Sequence, residues 1–191
     1  FGVLQGGMIR PTLFNVFLED LSEYLDPSCG VSMNDVLINY LLHADDLILI
    51  SETPEGLQKL IDGLHEFCKQ WHMIVNLVKT KLCVFSAKCF KKVRKPKFYY
   101  NEHEIEYCNS YKYLGLFYSN TRNMFKAARE YLAAQARKAI FAANKYAYDA
   151  VGKLSAILQL KVFDCQILPI LEYGSEIWSN CKEINVLERI H

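Results

Sequence analysis

Asp45 and Asp46 stand side by side between two aliphatic runs, residues 36–42 and 47–51. Carboxylates in such surroundings carry a desolvation cost unless a cation holds them. Mg²⁺ takes oxygen ligands of this kind, one or two carboxylates together with phosphate oxygens. Neighbouring residues in a strand point to opposite faces. At a turn that restriction relaxes, so one Asp can meet a metal while the other supports it. Two ions held there would assist in-line phosphoryl transfer, activating the attacking oxygen and stabilising the leaving one. Taken alone, an Asp-Asp pair is equally a polar turn.

Other residue types bear on the same chemistry. Gly6-Gly7, after Gln5 and ahead of a helical pattern, would let backbone approach a nucleotide closely; alone it is an ordinary turn. Lys79, alone, is a solvated strand-end lysine. From residue 79 to residue 97 there are eight basic residues and no acid: Lys79, Lys81, Lys88, Lys91, Lys92, Arg94, Lys95 and Lys97. Phosphate contacts by such a cluster would give salt-sensitive, sequence-independent nucleic-acid binding; a solvated loop is the other reading. Lys126, Arg129, Arg137, Lys138 and Lys145 repeat the theme, diluted by Glu130 and Asp149. A net charge of +1 hides both patches.

The seven cysteines form no C-x-x-C pair and no zinc spacing, so reduced, core-filling thiols are expected. Residues 1–8 carry no charged leader, and the run 36–50 is interrupted by His43, Asp45 and Asp46. Neither a signal peptide nor a membrane span is therefore expected, and the setting reads as intracellular.

The elements that must position these groups follow from periodicity. Apolar residues at 3–4 spacing predict a helix over 11–26, with Pro11 in its first turn. Residues 36–42 and 47–51 predict a tight hairpin with the Asp pair at or beside its tip. Thr53-Pro54-Glu55 is a helix start, and one apolar face runs from Leu57 to Trp71. Strands are expected over 74–78, 82–86 and 111–118, and a hairpin over 98–107. After residue 120 the chain turns Ala-rich, predicting helices over 123–151, 155–170 and 184–191. The class is α+β, antiparallel sheet with packed helices over 1–120 and a helical region over 121–191.

The run from Gly2 to Asn15 resembles the "G-V-x-Q-G-x-x-x-S-P-x-L-F-N" block of non-LTR-retrotransposon (LINE-like) reverse transcriptases. Leu42-His43-Ala44-Asp45-Asp46 resembles their "Y/F-A-D-D" block. Asn76-Leu77-Val78-Lys79-Thr80 is similar to "N-x-x-K-T", and Tyr113-Leu114-Gly115 to the "Y-L-G" of the primer grip. Pro169 to Trp178 is similar to a "P-x-L-x-Y-G-x-E-x-W" stretch downstream of the family's thumb start. The blocks occur in the family's order and cover nearly the whole chain.

The resemblance implies the rear part of a right-hand polymerase palm followed by a thumb-like region, with fingers and first palm strand absent. It implies an RNA-directed DNA polymerase working on an RNA template, a DNA primer and dNTPs with two Mg²⁺ ions, in nucleus and cytoplasm. Asp45 would bridge both ions and Asp46 support them. Lys79 would serve the nucleotide phosphates as charge donor or general acid. Gln5, Gly6 and His43 would lie by the template base, nucleotide or primer end, and Tyr113-Leu114-Gly115 would support the primer. Two positions depart from the pattern, Arg10 for Ser and His43 for Tyr or Phe. The family's first catalytic Asp precedes the Q-G block and has no counterpart here; Asp20 and Asp35 lack its context. The missing N-terminal part of the same polypeptide would supply it, and the isolated chain is expected to be inactive. A catalytically dead, retroelement-derived fragment that binds RNA or DNA is the competing reading. An unrelated metal hydrolase would need further ligands.

Overall fold

The computed structural model describes residues 9–85, 96–151 and 155–179. They form a mixture of helices and two-stranded sheets in two compact units. The first takes the chain to Leu82 and resumes up to Tyr107; the second holds 83–85 and everything described from Cys108 onward. The division thus falls before the composition shift at residue 120, and the strands expected over 111–118 belong with the helices.

In the first unit, α1 (Arg10–Phe17) begins with Pro11 in its first turn. The helix expected over 11–26 is interrupted: residues 18–20 are turns and a short α2 (Leu21–Tyr24) follows. Its end has a local cause. Asp26 Oδ1 accepts from Ser28 N at 2.9 Å and Ser28 Oγ at 2.7 Å, and Pro27 disfavours helical backbone before it. A 3₁₀ turn, Pro27–Cys29, takes over.

The aliphatic run 36–42 is divided between two hairpins. Strand β1 (Val31–Met33) pairs with β2 (Val36–Ile38) around Asn34-Asp35, whose φ values of 50° and 63° suit a type I′ turn. Strand β3 (Tyr40–His43) pairs with β4 (Asp46–Leu49). Asn39, buried between the hairpins, makes the switch: its Nδ2 donates to the Leu25 carbonyl at 3.1 Å, and its own carbonyl accepts from Ile50 N at 2.8 Å.

Helix α3 (Pro54–Gln70) is capped by Thr53, whose hydroxyl accepts from Gly56 N at 3.1 Å. Its inner face buries Leu60, Phe67 and Cys68 with Leu18, Leu21 and Leu25, and Tyr40, Leu47 and Leu49 of the second hairpin pack on this cluster. Each such side chain contributes about 1.5–3 kcal/mol. Ile61 joins a second cluster with Leu82, Phe98 and Ile105. The strand expected over 74–78 is absent. Residues 73–76 are irregular and 77–79 a turn, with Ile74 and Val78 exposed because no neighbouring strand covers them. Strand β5 shortens to Leu82–Cys83 and pairs with β8 (Tyr107–Cys108). Strands β6 (Tyr99–Tyr100) and β7 (His103–Glu104) form the expected hairpin. Gln58 holds it to α3, donating to the Tyr99 carbonyl (2.7 Å) and accepting from Tyr99 N (3.0 Å).

In the second unit the expected strand over 111–118 is a hairpin. Strand β9 (Ser110–Tyr113) pairs with β10 (Leu116–Ser119) around Leu114-Gly115, at φ 44° and 83°. Helix α4 (Lys126–Val151) buries Ala128, Leu132, Ala133 and Ala136 against Leu116, Ile167, Leu171 and Trp178. The small alanines let these elements approach closely. Helix α5 (Ala156–Val162) passes through a π turn (Phe163–Ile167) into α6 (Leu168–Leu171), and α7 (Ser175–Trp178) follows. Pro169 accounts for the π turn, since it lacks an N–H and its ring crowds the carbonyl four residues back. The helix expected over 184–191 lies outside the described residues. No helix among them is long and apolar enough to cross a membrane.

Candidate active site

Register fixes the carboxylates. Leu42 pairs with Leu47 and His43 with Asp46, which leaves Ala44-Asp45 as a two-residue turn. Ala44 alone of the two has positive φ, 51°, the sign pattern of a type II′ turn, where glycine usually stands first. Holding an alanine there costs about 1–2 kcal/mol. Leu47 and Leu49 face the Leu60–Phe67 cluster, so strand alternation sends Asp46 and Ile48 to the other side. Asp45 and Asp46 are both exposed, and among the described residues no hydrogen bond or ion pair engages either carboxylate. His43 is exposed beside them as the cross-strand partner of Asp46. A shallow groove of about 470 Å³ runs past Leu42 and Tyr40 to Asn15 of α1 and Glu19 in the turn that follows it.

Oxygen donors with no cationic partner among the described residues suit a divalent metal. The pair does not complete a site: among the described residues no three His, Cys, Asp or Glu side chains converge as a metal cage requires.

Lys79 sits in the turn that replaces the expected strand, with its side chain exposed. Asn76 builds that turn. Its Oδ1 accepts from Lys79 N at 3.2 Å, while its carbonyl accepts from Thr80 N (3.0 Å) and Thr80 Oγ1 (2.9 Å). The spacing of Asn, Lys and Thr is thus a local hydrogen-bonding unit that presents the lysine.

The basic cluster is thinner than its sequence. Lys97 pairs with Glu104 at 2.7 Å and Lys81 with Glu106 at 2.5 Å. The Glu104 bond raises the Lys97 pKa, and the Lys81 bond lowers that of Glu106. Both acids follow the basic run in sequence, and folding carries them back onto it. Arg129 is 1% exposed, with Nη2 donating to Asn123 Oδ1 at 3.1 Å, so it does not offer its charge to a phosphate. Gln5, Gly6, Lys88, Lys91, Lys92, Arg94 and Lys95 lie outside the described residues.

Tyr113, Leu114 and Gly115 occupy the end of β9 and the hairpin tip in the second unit. The sequence reading missed Asn39, which anchors the Asp hairpin, and Gln58, which stands in for a strand partner. A lone amide within an aliphatic run was the signal for the first; nothing local marked the second.

Against this geometry, the family model for reverse transcriptase (RNA-dependent DNA polymerase) matches residues 1–118. The chain belongs to the reverse transcriptase family. It is 25% identical over 198 residues to the RNA-directed DNA polymerase from mobile element jockey of Drosophila melanogaster, covering 98% of this chain and 21% of that relative. The probable RNA-directed DNA polymerase from transposon BS, also of Drosophila melanogaster, is 28% identical with the same coverage. The Pol polyprotein from type-1 retrotransposable element R2 of Nasonia vitripennis is 33% identical over 129 residues, 62% of this chain and 12% of the relative. The chain therefore spans about a fifth or less of the length of these relatives. Reverse transcriptases work with divalent metal ions on a nucleic-acid template and primer, and an exposed Asp-Asp hairpin suits that chemistry.

Proposed function

We propose that this chain is the rear palm, over residues 1–120, and the thumb start, over residues 121–191, of a retrotransposon RNA-directed DNA polymerase. The observation that carries the reading is the Asp45-Asp46 hairpin tip, two exposed carboxylates with no protein partner among the described residues, within the span matched by the family model. Asp45 and Asp46 would hold two Mg²⁺ ions with a further carboxylate from elsewhere in the polypeptide. When bound, the ions supply activation of the primer 3′-oxygen and charge stabilisation of the leaving pyrophosphate. The chain's own contribution is placement. The β3–β4 register puts the carboxylates at the hairpin turn, and Lys79, in the Asn76 turn, would serve the nucleotide phosphates. RNA template, DNA primer and dNTPs are the substrates, and the work needs access to the nucleus.

The test is Asp45→Asn in the complete polymerase that carries this segment. Extension should fall about a thousandfold or more while primer–template affinity stays within about threefold, as expected for removal of an interaction used in the chemical step. Extension within tenfold of the parent overturns the assignment. A complete parent protein that binds nucleic acid but never extends a primer would establish the binding-only alternative.

A further inference from the structure

The stretch from Pro169 to Trp178 receives no role from the catalytic reading. It is nevertheless built onto the tip of the β9–β10 hairpin, within the same compact unit. Tyr173 Oη donates to the Leu114 carbonyl at 2.8 Å, across 59 positions of sequence. Behind it, Trp178 Nε1 donates to the Tyr173 carbonyl at 2.9 Å, and the Trp178 side chain is part of the unit's core. A glycine on each side of the contact allows the close approach. A Cβ on Gly115 would stand 2.9 Å from Tyr173 Cε1, and one on Gly174 would stand 2.5 Å from Leu116 Cδ1. Both glycines also have left-handed φ, 83° and 69°.

The hairpin tip needs such a brace. Leu114 holds φ 44°, a conformation that costs a β-carbon-bearing residue about 1–2 kcal/mol. The tip is also open to solvent, with Leu114 41% and Tyr173 49% exposed. Burial therefore does little to fix it, and the hydroxyl-to-carbonyl bond is the specific restraint. Beside it runs a groove of about 630 Å³ whose wall includes Gly115, Tyr173, Lys112 and Lys138. Lys112 Nζ lies 4.5 Å over the Tyr131 ring, which keeps a positive charge on the flank of the hairpin. A strained, exposed tip held by a distant tyrosine beside two lysines is suited to meeting the phosphates of a strand.

We propose that Tyr173 is a positioning residue of the polymerase, holding the Leu114-Gly115 tip in the left-handed turn in which it supports the primer strand. This rests on the reading of β9–β10 as the primer-supporting hairpin. The reaction gains no new group; the tyrosine acts through the tip, and its glycine neighbours keep the ring close.

The experiment uses the complete polymerase and two variants, each assayed for primer–template Kd, dNTP KM and thermal melting. Tyr173→Phe keeps the ring and removes one hydrogen bond. It should weaken primer–template binding on the order of fivefold, with dNTP KM and melting temperature little changed. Leu114→Asp leaves the Tyr173 bond to the backbone in place, suits positive φ, and puts a like charge before the primer phosphates. It should weaken primer binding tenfold or more. If Leu114→Asp weakens binding and Tyr173→Phe does not, the role of Tyr173 is overturned while the hairpin reading stands. If neither weakens it, the hairpin reading falls and takes the role of Tyr173 with it. A Tyr173→Phe effect confined to dNTP KM or to melting also overturns the proposal. Gly115→Ala, which must displace the Tyr173 ring, should reproduce the Tyr173→Phe defect in primer binding.

Discussion

Gly63→Ala sets helix propensity against packing, and the two predict opposite signs. Gly63 lies in the middle of α3. Propensity alone favours alanine there by about 1 kcal/mol. The structure opposes it: an added Cβ would stand 2.1 Å from the Tyr24 carbonyl oxygen and 3.2 Å from its carbon. An ordinary carbon–oxygen contact is roughly 1 Å longer than the first of these distances. The obstacle is backbone, so no rotamer change relieves it. Tyr24 is flanked by Leu21 and Leu25, each 1% exposed and both in the cluster that supports the Asp hairpin. Moving α2 away from α3 opens that cluster, and overpacking of this kind costs about 1–3 kcal/mol, occasionally more. With a steric conflict this severe the cost should exceed the propensity gain, leaving a net loss of about 1–2 kcal/mol. Urea unfolding of the chain would show a lower midpoint at unchanged slope. A Gly63→Ala chain as stable as the parent, or more stable, would refute the packing argument and leave propensity as the governing term.

Asn39→Asp replaces a buried amide donor with an acceptor facing the Leu25 carbonyl; it should destabilise the chain by about 1–3 kcal/mol, and a melting curve unchanged at neutral pH would contradict this. Burial, with Cys108 beside it, pushes the Cys83 thiol up to about 12. Burial and the raised pKa both hold back its reaction, so alkylation mapped by mass spectrometry should label the exposed Cys165 long before Cys83. Comparable rates at the two sites would show that Cys83 is not shielded. The Glu106 pKa is lowered in the fold by Lys81, so the pair's contribution is present above the carboxyl's ordinary value of 4.5 and fades as pH falls through the lowered one. Glu106→Gln should therefore lose stability relative to the parent at neutral pH and converge with it in acid; a gap that widens in acid would reverse the sign.

Much of the local structure was legible because its causes are local. Thr53-Pro54-Glu55 starts α3 where a capping hydroxyl and proline must, and its apolar face is the buried one. The Asp pair lies at a hairpin tip because aliphatic strands flank it closely. Where the reading failed, a distant partner decided. Residues 74–78 have strand-like composition but no strand beside them, so they stay irregular. The run over 36–42 looks like one strand until Asn39 reaches Leu25 and turns it into two. Residues 111–118 look continuous until Leu114-Gly115 turns left-handed against Tyr173.

The same division holds for the site. Residue types and their order sufficed to place the chain among reverse transcriptases and to put Asp45-Asp46 at a hairpin tip, since motif order and local turns depend on neighbours in sequence. Which charges remain available was decided by tertiary structure, because folding brings Glu104 and Glu106 onto Lys97 and Lys81 and buries Arg129 beside Asn123. A lysine's role at a nucleic-acid surface depends on what stands within a few ångströms of its ammonium group, and the chain's order alone does not contain that distance.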